Sequence, residues 1–386
     1  MIKRDLEERI KKGAVSYPVV SVTGPRQSGK TMLVKKIFSS WKYVNLETPE
    51  VRTFASEDPN SFLDQAEKMI IDEVQYVPEL LSYIQVIVDE DKKRKFVITG
   101  SQNLLISGKV SQSLAGRVNI FNLFPLSFNE LKHNFLIKKK LAEQMLNGFY
   151  PRIYSEKVEP RRWYGNYIQT YLERDVRQIK NIGDPSIFQK FLGLLAGRTG
   201  QILNLASLAN DVGVTVPTIG SWISVLEASF IIVKLPPYYK SWNKRLTKSP
   251  KIHFLDSGLV CALLEISSSS ELERHPLFGY IFESLVVSEF YKKMANKQER
   301  GRLYYWREKN GAEIDLLIDR GLMRKAIEIK VGATFSRDQV KNLLYFKKLT
   351  ENAADGELKE TDLELVYGGE EDEKRSEYGV RSWRNL

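Results

Sequence analysis

The sequence contains very little cysteine and histidine. Its 386 residues include one cysteine, Cys261, and three histidines that lie far apart, at positions 133, 253 and 275. A single cysteine excludes a disulfide framework and a thiolate metal cluster. The sequence also lacks any run of about 18 apolar residues, so it predicts no transmembrane helix. The charged first twelve residues do not have the apolar stretch of a signal peptide, and we therefore expect a cytoplasmic protein.

The length and composition are those of a multidomain globular protein. Apolar residues make up 42% and charged residues 27% of the chain, which excludes global disorder. Because one domain takes roughly 100–200 residues, we expect two to four domains. The net charge is +10, yet residues 351–386 hold eleven acidic and five basic side chains, so the preceding part carries +16. A basic body indicates a polyanionic partner such as DNA, although charge also serves solubility.

Short apolar strands alternate with helical segments over the first 125 residues, which predicts a parallel sheet covered on both faces. Residues 126–200 are helical in pattern. Residues 203–226 then show a helix, a tight turn at Gly213 and a second helix, and the strand that follows suggests a winged helix. From about residue 265 helices and strands mix again. The predicted divisions are 1–125, 126–200, 201–264 and 265–386.

Residues 24–31 fit the phosphate-binding pattern G-x-x-x-x-G-K-[ST] in full. They are Gly24-Pro25-Arg26-Gln27-Ser28-Gly29-Lys30-Thr31. The glycines let backbone N–H groups turn toward phosphates, Lys30 reaches the β- and γ-phosphates, and Thr31 offers its hydroxyl to Mg²⁺. The loop lies between a predicted strand and a predicted helix, whose amino end also favours an anion. The sequence therefore predicts an ATP and Mg²⁺ site.

Acidic and polar residues at later strand ends complete this prediction. An apolar strand delivers Asp72 to hold Mg²⁺ through water, and Glu73 is placed to polarise the attacking water. Ser101 or Gln102, after another buried strand, could sense the γ-phosphate, or they are ordinary polar turn residues. Arg117 precedes the next strand, where it could reach a neighbour's nucleotide as an arginine finger or form a surface salt bridge.

These features together resemble the AAA+ ATPases over about residues 16–200. More narrowly, residues 98–101, 114–117 and 254–259 resemble a prokaryotic AAA+ family whose ATPase core is followed by a domain of unknown function. The resemblance implies a helical lid over residues 126–200, ATP hydrolysis, and assembly into a homo-oligomeric ring, perhaps a hexamer. It also implies a lid arginine at the nucleotide, for which Arg152 is the candidate, with Arg174 and Arg177 as competitors.

A basic and aromatic segment follows the helix-turn-helix. Residues 234–251 contain six basic side chains and no acidic one, with aromatic rings between them. Cations neutralise phosphates and rings stack on bases. Because the second helix carries few side chains that read base edges, we expect DNA contact without sequence specificity. An interdomain hairpin with solvated lysines is the alternative. The candidate DNA-binding residues are Lys240, Trp242, Lys244, Arg245 and Lys248.

Two apolar strands around Gly321 predict a hairpin that brings acids together. With the turn at Gly321-Leu322, position i faces position 643 − i, so Asp315 lies opposite Glu328, and Lys330 follows on the same face. Facing carboxylates need compensation, which either Lys330 or a divalent cation supplies.

This Asp–Glu-x-Lys arrangement resembles the core of PD-(D/E)xK nucleases over about residues 275–370. The resemblance implies that Asp315 and Glu328 hold Mg²⁺ or Mn²⁺, that Lys330 assists, and that Glu283 on the preceding helix joins them. The proline that precedes the first acid in that superfamily is absent here. Many relatives have kept the fold without cleavage.

The predicted fold is thus α/β: a P-loop AAA+ parallel sheet core with a helical lid, then a winged helix and a nuclease-like α/β domain. The predicted function is an ATPase that acts on branched or duplex DNA, with Glu73, Arg117 and Lys30 as catalytic residues. One alternative is an ATP-dependent signalling switch that recruits a protein partner. Another is a nuclease in which ATP only gates cutting.

Overall fold

The computed structural model describes residues 2–101, 114–172, 184–238, 249–299, 301–308, 311–321, 323–351 and 360–386. The predicted sensor residue Gln102 and the five candidate DNA-binding residues at 240–248 lie outside the described residues.

A five-stranded parallel sheet forms the first part of the structure, as the alternating pattern predicts. Its order is β2-β3-β4-β1-β5. The inner strand β1 is buried at every position, because helices cover both faces of the sheet. The strands are β1 (Val19–Thr23), β2 (Lys42–Asn45), β3 (Lys68–Asp72), β4 (Lys95–Gly100) and β5 (Val118–Asn122). The helices are α1 (Glu7–Ser16), α2 (Lys30–Ile37), α3 (Pro49–Glu57), α4 (Pro59–Leu63) and α5 (Leu80–Glu90).

The parallel register brings several chain turns to one edge of this sheet. Thr23 pairs with Gly100, and Asn45 pairs with Asp72. The segments that follow β1, β3 and β4 therefore meet at the carboxyl edge, where ligands bind in open α/β sheets.

The middle of the chain is mainly helical and ends in a small antiparallel sheet. Gly213, in the left-handed conformation with φ 89°, ends the first helix of the predicted helix-turn-helix. The helices are α6 (Phe128–His133), α7 (Leu141–Asn147), α8 (Pro151–Ser155), α9 (Pro160–Tyr167), α10 (Pro185–Ala196), α11 (Leu205–Val212) and α12 (Val216–Ala228). The strands β6 (Gln201–Ile202), β7 (Ile232–Leu235) and β8 (Lys251–Phe254) form a sheet in the order β6-β8-β7. From α10 to β8 the order is helix, strand, two helices and two strands, and the winged helix stays a prediction.

A six-stranded mixed sheet in the order β13-β14-β12-β11-β10-β9 dominates the last part of the chain. The hairpin register is the predicted one, since Leu316 pairs with Ile327 and Asp319 with Arg324. The strands are β9 (Arg302–Arg307), β10 (Glu313–Asp319), β11 (Met323–Lys330), β12 (Glu360–Tyr367), β13 (Glu373–Lys374) and β14 (Gly379–Ser382). The helices are α13 (Ser257–Leu263), α14 (Ser269–Arg274), α15 (Phe278–Lys297) and α16 (Lys341–Glu351).

One apolar core runs from α6 through the helix-turn-helix to the C-terminal sheet. Phe128, Trp222, Phe282 and Ile327 all belong to it. Trp222 is buried against Phe188 and Phe191, as expected of a core residue. The lid region and one face of the C-terminal sheet are thus packed as a unit across the predicted divisions.

Candidate functional site

The phosphate loop of residues 24–31 connects β1 to α2 at the carboxyl edge of the parallel sheet. Gly24 lies so close to the backbone of Leu123 that a Cβ atom would stand 2.1 Å from its carbonyl oxygen. Gly29 has φ 94°, and Gln27 has φ 63°. Such positive values favour glycine, and they bend the loop into a concave turn. The predicted context of strand, loop and helix is present.

Lys30 is the first residue of α2 and is 5% exposed. Its ammonium donates to the carbonyl oxygens of Gly24 at 3.0 Å and Pro25 at 2.9 Å. Burial lowers the pKa of Lys30 below its ordinary value, and the carboxylates of Glu73 and Asp72 oppose that shift. The lysine therefore lies inside the loop, where its charge faces the space for phosphates.

Asp72, at the end of β3, accepts hydrogen bonds from three hydroxyl groups, one of which belongs to the phosphate loop. Its carboxylate accepts from Thr31 Oγ1 at 2.9 Å and from the Tyr43 hydroxyl at 2.8 Å, and it also accepts from the Thr99 hydroxyl. Because of burial and the bond to Asp72, the pKa of Tyr43 is raised, which keeps this hydroxyl protonated as a donor. The predicted pair Thr31 and Asp72 is thus in direct contact, and its oxygens are of the type that Mg²⁺ prefers.

Glu73 is held beside Asp72 by its backbone and its side chain. Its φ of 57° is left-handed, which is uncommon for a residue other than glycine and turns the chain sharply after β3. Its N–H donates to Thr99 Oγ1 at 3.2 Å, and its carboxylate accepts from the amide of Gln75. The same amide contacts Ser101 Oγ at 3.2 Å, so the predicted Ser101 and Glu73 share a partner.

The lid candidate Arg152 lies across a cleft from the phosphate loop. Arg152 and Gln27 both line this cleft of about 460 Å³, together with Trp163 and Asn166 from α9. The guanidinium of Arg152 forms an exposed ion pair with Glu156 at 2.8 Å. The predicted loop and lid residues are therefore on the same cleft.

Arg117 lies at the opposite edge of the sheet from the phosphate loop. It precedes β5, whose first residue Val118 pairs with Val19, whereas the loop follows Thr23. Five residues at about 3.3 Å each separate the two edges by about 16 Å. Arg117 forms a two-pronged pair with Asp89, at 2.7 and 2.6 Å. Within one chain it is thus a surface salt bridge, and its role as an arginine finger stays a prediction.

A second set of charged residues lies on the C-terminal sheet. Asp315 accepts from the backbone N–H of Ile329 at 2.8 Å, and Lys330 contacts Glu328 at 2.6 Å and Asp315 at 3.7 Å. All three predicted residues share one face of the hairpin, and Glu283 of α15 lies beside them. We refer to four carboxylates as the acid cluster: Glu283, Glu313, Asp315 and Glu328. They line a cleft of about 670 Å³.

Lys251, the first residue of β8, extends into the acid cluster. Its ammonium lies 2.8 Å from Glu283, 2.5 Å from Glu313 and 3.9 Å from Asp315. The segment that contains Lys251 is predicted above as a set of cations for DNA. Lys251 is not one of the five candidate DNA-binding residues, and its side chain, which is 5% exposed, has its charge neutralised within the chain. Glu313 likewise has a definite partner.

Burial and repulsion between like charges shape the acid cluster. Burial and the carboxylate of Asp315 raise the pKa of Glu283 and that of Glu328 to about 8. Burial opposes the charge of Lys251, yet the facing carboxylates of the cluster raise its pKa above the ordinary value. With all groups ionised, the four carboxylates, Lys251, Lys330 and Arg307, which lies 3.5 Å from Glu313, leave a net charge of −1. Glu328 Oε2 is buried without a hydrogen-bond partner among the described residues.

Whether the cluster can hold a divalent cation depends on Lys251. The excess negative charge of the ionised cluster and the unsatisfied oxygen of Glu328 suit such an ion. However, no three Asp, Glu, His or Cys side chains of the described ranges are arranged to hold a metal. The ammonium of Lys251 lies between two of the acids and neutralises them. The metal at Asp315, Glu328 and Glu283 therefore stays a prediction that requires Lys251 to move.

Several residues of these sites were missed by sequence reasoning. Thr99 has a signal, since it lies next to the end of the buried strand that precedes Ser101. Tyr43 and Gln75 have none that distinguishes them from other polar residues near strand ends. Lys251 is the last cation of the basic segment, and the sequence gives no sign of its carboxylate partners. Among the helices of the described ranges, none is both long and apolar enough to cross a bilayer.

Comparison with known families divides the chain into three parts. Residues 16–132 match the AAA domain. Residues 138–270 match a domain of unknown function, DUF8612, and residues 278–383 match another, DUF4143. The first match contains the phosphate loop and the Asp72–Glu73 pair, and the last contains all four carboxylates of the acid cluster.

Related proteins span most of the chain. The uncharacterized protein Rv2008c of Mycobacterium tuberculosis is 30% identical over an alignment of 346 residues, and this alignment covers 86% of this chain and 74% of that protein. The uncharacterized protein MJ1544 of Methanocaldococcus jannaschii is 24% identical over an alignment of 350 residues, which covers 82% of this chain and 75% of that one. Among solved structures, the Walker-type ATPase PABY2304 of Pyrococcus abyssi aligns with a TM-score of 0.46 at 15% identity. That alignment covers 68% of this chain and 96% of the other.

Proposed function

This chain belongs to the same protein family as Rv2008c and is a P-loop ATPase, and we propose that it uses ATP hydrolysis to act on DNA through its C-terminal domain. The observation that carries the DNA part is the common face of Asp315, Glu328 and Lys330 in an open cleft. Binding of a phosphodiester requires positive charge near its oxygens, and its hydrolysis requires carboxylates that bind a cation or orient water. This face carries Lys330 for the first task and Asp315 and Glu328 for the second.

In the proposed ATPase step each residue has a separate task. Lys30 and the loop amides bind the phosphates, and Glu73 accepts a proton from the water that attacks the γ-phosphorus. Thr31 and Asp72 would hold Mg²⁺, which when bound neutralises charge on the phosphate oxygens. Gln75 and Thr99 hold Glu73 in place through the contacts described above.

Arg117 would act in a homo-oligomer, for which a ring such as a hexamer is the proposed form. Its distance from its own phosphate loop supports action on a neighbour's nucleotide. The salt bridge to Asp89 would have to open on assembly. Arg152 would contact the nucleotide from the lid.

At the acid cluster, Asp315, Glu328 and Glu283 would hold Mg²⁺ or Mn²⁺, which would stabilise negative charge on a phosphate when bound. Lys330 is placed to orient a water or a phosphate oxygen. Lys240, Trp242, Lys244, Arg245 and Lys248 would bind DNA phosphates and bases from the proposed winged helix, without reading sequence.

The test compares ATP hydrolysis with and without single-stranded, duplex and four-way-junction DNA. We expect at least one DNA form to raise the rate and to bind in a salt-dependent manner. Reversing the charges of Lys240, Lys244, Arg245 and Lys248 should remove the stimulation and lower the salt slope by about 0.9 for each lost phosphate contact on duplex DNA. The DNA proposal is rejected if no DNA form raises the ATPase rate of the wild-type protein and the salt slope of the variant is unchanged. The ATPase assignment would stand in that case.

Cleavage is tested separately, with Mn²⁺ and the same DNA forms. Asp315→Asn should abolish metal-dependent cutting and leave ATP hydrolysis nearly unchanged, whereas Glu73→Gln should do the reverse. If the wild-type protein cuts none of the substrates, the cluster is a binding site without nuclease activity.

A signalling switch that recruits a protein is the second candidate. It is favoured by the position of Lys251, which neutralises the acid cluster without a metal. A slow ATPase rate that DNA leaves unchanged, with a nucleotide-dependent protein partner, would support it.

A further inference from the structure

Arg4 is a buried arginine directly behind the phosphate loop. It lies in the segment before α1, where no sequence pattern marks it, and it is 7% exposed. Its three guanidinium nitrogens have three different partners. NH1 donates to the carbonyl oxygen of Ser28 at 2.7 Å, NH2 donates to that of Phe124 at 2.6 Å, and Nε donates to Glu130 at 2.9 Å.

The bond to Ser28 fixes one peptide plane of the phosphate loop. In a planar trans peptide the C=O and the next N–H point in opposite directions. The carbonyl of Ser28 and the N–H of Gly29 belong to the same peptide, so a donor that holds the carbonyl on the outer side of the loop turns the N–H of Gly29 to the other side. That is the side on which the loop amides cradle phosphates.

The orientation needs an external constraint because the local backbone is unusually free. Gly29 has φ 94° and carries no side chain, and the one described residue within 4 Å of an added Cβ there is Arg4, at 3.6 Å. A glycine in this conformation loses more backbone entropy on ordering than other residues do. A charge-assisted bond from Arg4 restricts this freedom before a nucleotide binds.

Arg4 is itself held by the start of the lid. Glu130 of α6 accepts from Arg4 Nε and from the N–H of Asp5 with one oxygen, and from the N–H of Ser127 with the other. It thereby closes the capping box of α6. The bond to Phe124 adds the chain segment after β5. The guanidinium thus ties the phosphate loop to the first helix after the ATPase sheet.

We propose that Arg4 is a positioning residue of the nucleotide site, which holds the Ser28–Gly29 peptide so that its N–H faces the phosphates. The alternative is that Arg4 only anchors the N-terminal segment to the rest of the fold. The two roles differ in what they change. A positioning residue alters the affinity for nucleotide, and it alters ATP and ADP binding alike, because the loop amides cradle phosphates that both nucleotides have. An anchor alters stability alone.

The test uses the full chain and measures the dissociation constants of ATP and ADP by competition with a fluorescent ADP analogue in Mg²⁺. Arg4→Gln should raise both constants about 10- to 100-fold, the range for loss of one charge-assisted hydrogen bond. Arg9→Gln is the matched control. Arg9 also anchors the N-terminal region, through the carbonyl oxygen of Lys297 at 2.8 Å, but it does not contact the loop. It should change both constants less than twofold.

Equal constants in Arg4→Gln and wild type would overturn the proposal, and so would an equal rise in Arg9→Gln. Thermal unfolding without nucleotide identifies the folded fraction of each variant. If Arg4→Gln does not fold, Arg4→Lys replaces it, because one ammonium cannot span the three acceptors as the planar guanidinium does. An unchanged affinity in folded Arg4→Lys would then overturn the proposal, and a parallel rise for ATP and ADP would support it.

Discussion

Replacing Lys251 by methionine tests whether this lysine neutralises the acid cluster. The substitution keeps the length of the side chain and removes its charge. Lys251 is 5% exposed by side chain and lies within 4 Å of three carboxylates. Removing one partner of a buried ion pair costs about 3–5 kcal/mol, because the remaining charges stay buried and unpaired. We expect the free energy of unfolding to fall by that amount at pH 8.5.

Lys330→Met is the matched control on the same cluster. Lys330 also contacts two of the carboxylates, but its side chain is 38% exposed, so water screens its charge. An ion pair of that exposure contributes about 1 kcal/mol or less. The structure therefore predicts a clearly larger loss for Lys251→Met than for Lys330→Met.

The effect should depend on pH in a definite direction. The pKa of Glu283 and of Glu328 is raised from 4.5 to about 8 in the folded protein. Between these values the folded state binds more protons than the unfolded state, so the free energy of unfolding falls as pH rises through this window. Without the ammonium of Lys251 the folded state binds protons more tightly still. The loss caused by Lys251→Met should thus be larger at pH 8.5 than at pH 6.

Urea unfolding followed by tryptophan fluorescence at both pH values measures these differences. A loss below about 1 kcal/mol at pH 8.5, or equal losses in the two variants, would refute the description of Lys251 as the buried counter-ion. A loss that grows as the pH falls would contradict the raised carboxyl pKa values.

Three further predictions concern the nucleotide site and the lid. Lys30→Ala should abolish nucleotide binding, whereas Glu73→Gln should keep binding and stop hydrolysis; wild-type hydrolysis in Glu73→Gln, measured by phosphate release, would remove Glu73 as the base. Arg117→Ala should bind ATP yet lose about 10³–10⁵ in rate, and mixing it with Glu73→Gln should restore some activity, so a verified mixed oligomer without recovery counts against a finger. Gly148→Ala should lower the free energy of unfolding by more than about 2 kcal/mol, because its Cβ would stand 1.9 Å from the Tyr164 hydroxyl. Gly213→Ala should lower this free energy by less, because no described residue lies within 4 Å of the added Cβ. Similar losses in the two variants would show that backbone strain alone matters.

Local sequence patterns were sufficient for the parallel sheet and for the hairpin. The phosphate-binding motif lies between a strand and a helix, so one motif was enough to place both elements. A turn at Gly321-Leu322 or one residue earlier keeps Asp315, Glu328 and Lys330 on one face, and the observed pairing of Leu316 with Ile327 is that of the first of these turns.

The contacts that complete the two sites could not be predicted in this way. Arg4 and Glu130 are 126 positions apart, and Lys251 and Glu283 are 32 apart. Neither pair follows a helical or strand period, because each joins elements that meet only after folding. Lys251 shows that the partner of a charged residue cannot be inferred from the sequence unless its burial is known. In the sequence it ends a basic stretch, and only the packing of β8 against α15 shows that its partners are carboxylates.

The helix α15 physically joins the two candidate sites. It carries Glu283 to the acid cluster, and two turns later its Glu289 accepts from the backbone N–H of Phe128 at 2.8 Å, at the start of α6. Lys292, fully buried, donates to Glu289 at 2.9 Å and to the carbonyl of Leu126 at 3.2 Å. From Glu283 to Lys292 the helix rises about 14 Å. Buried bonds of this kind are costly to leave unmade, so α6 and α15 are held together as one body. A displacement of α6 relative to the phosphate loop would therefore carry α15 and the C-terminal sheet packed against it along with α6, unless the contact between Phe128 and Glu289 breaks.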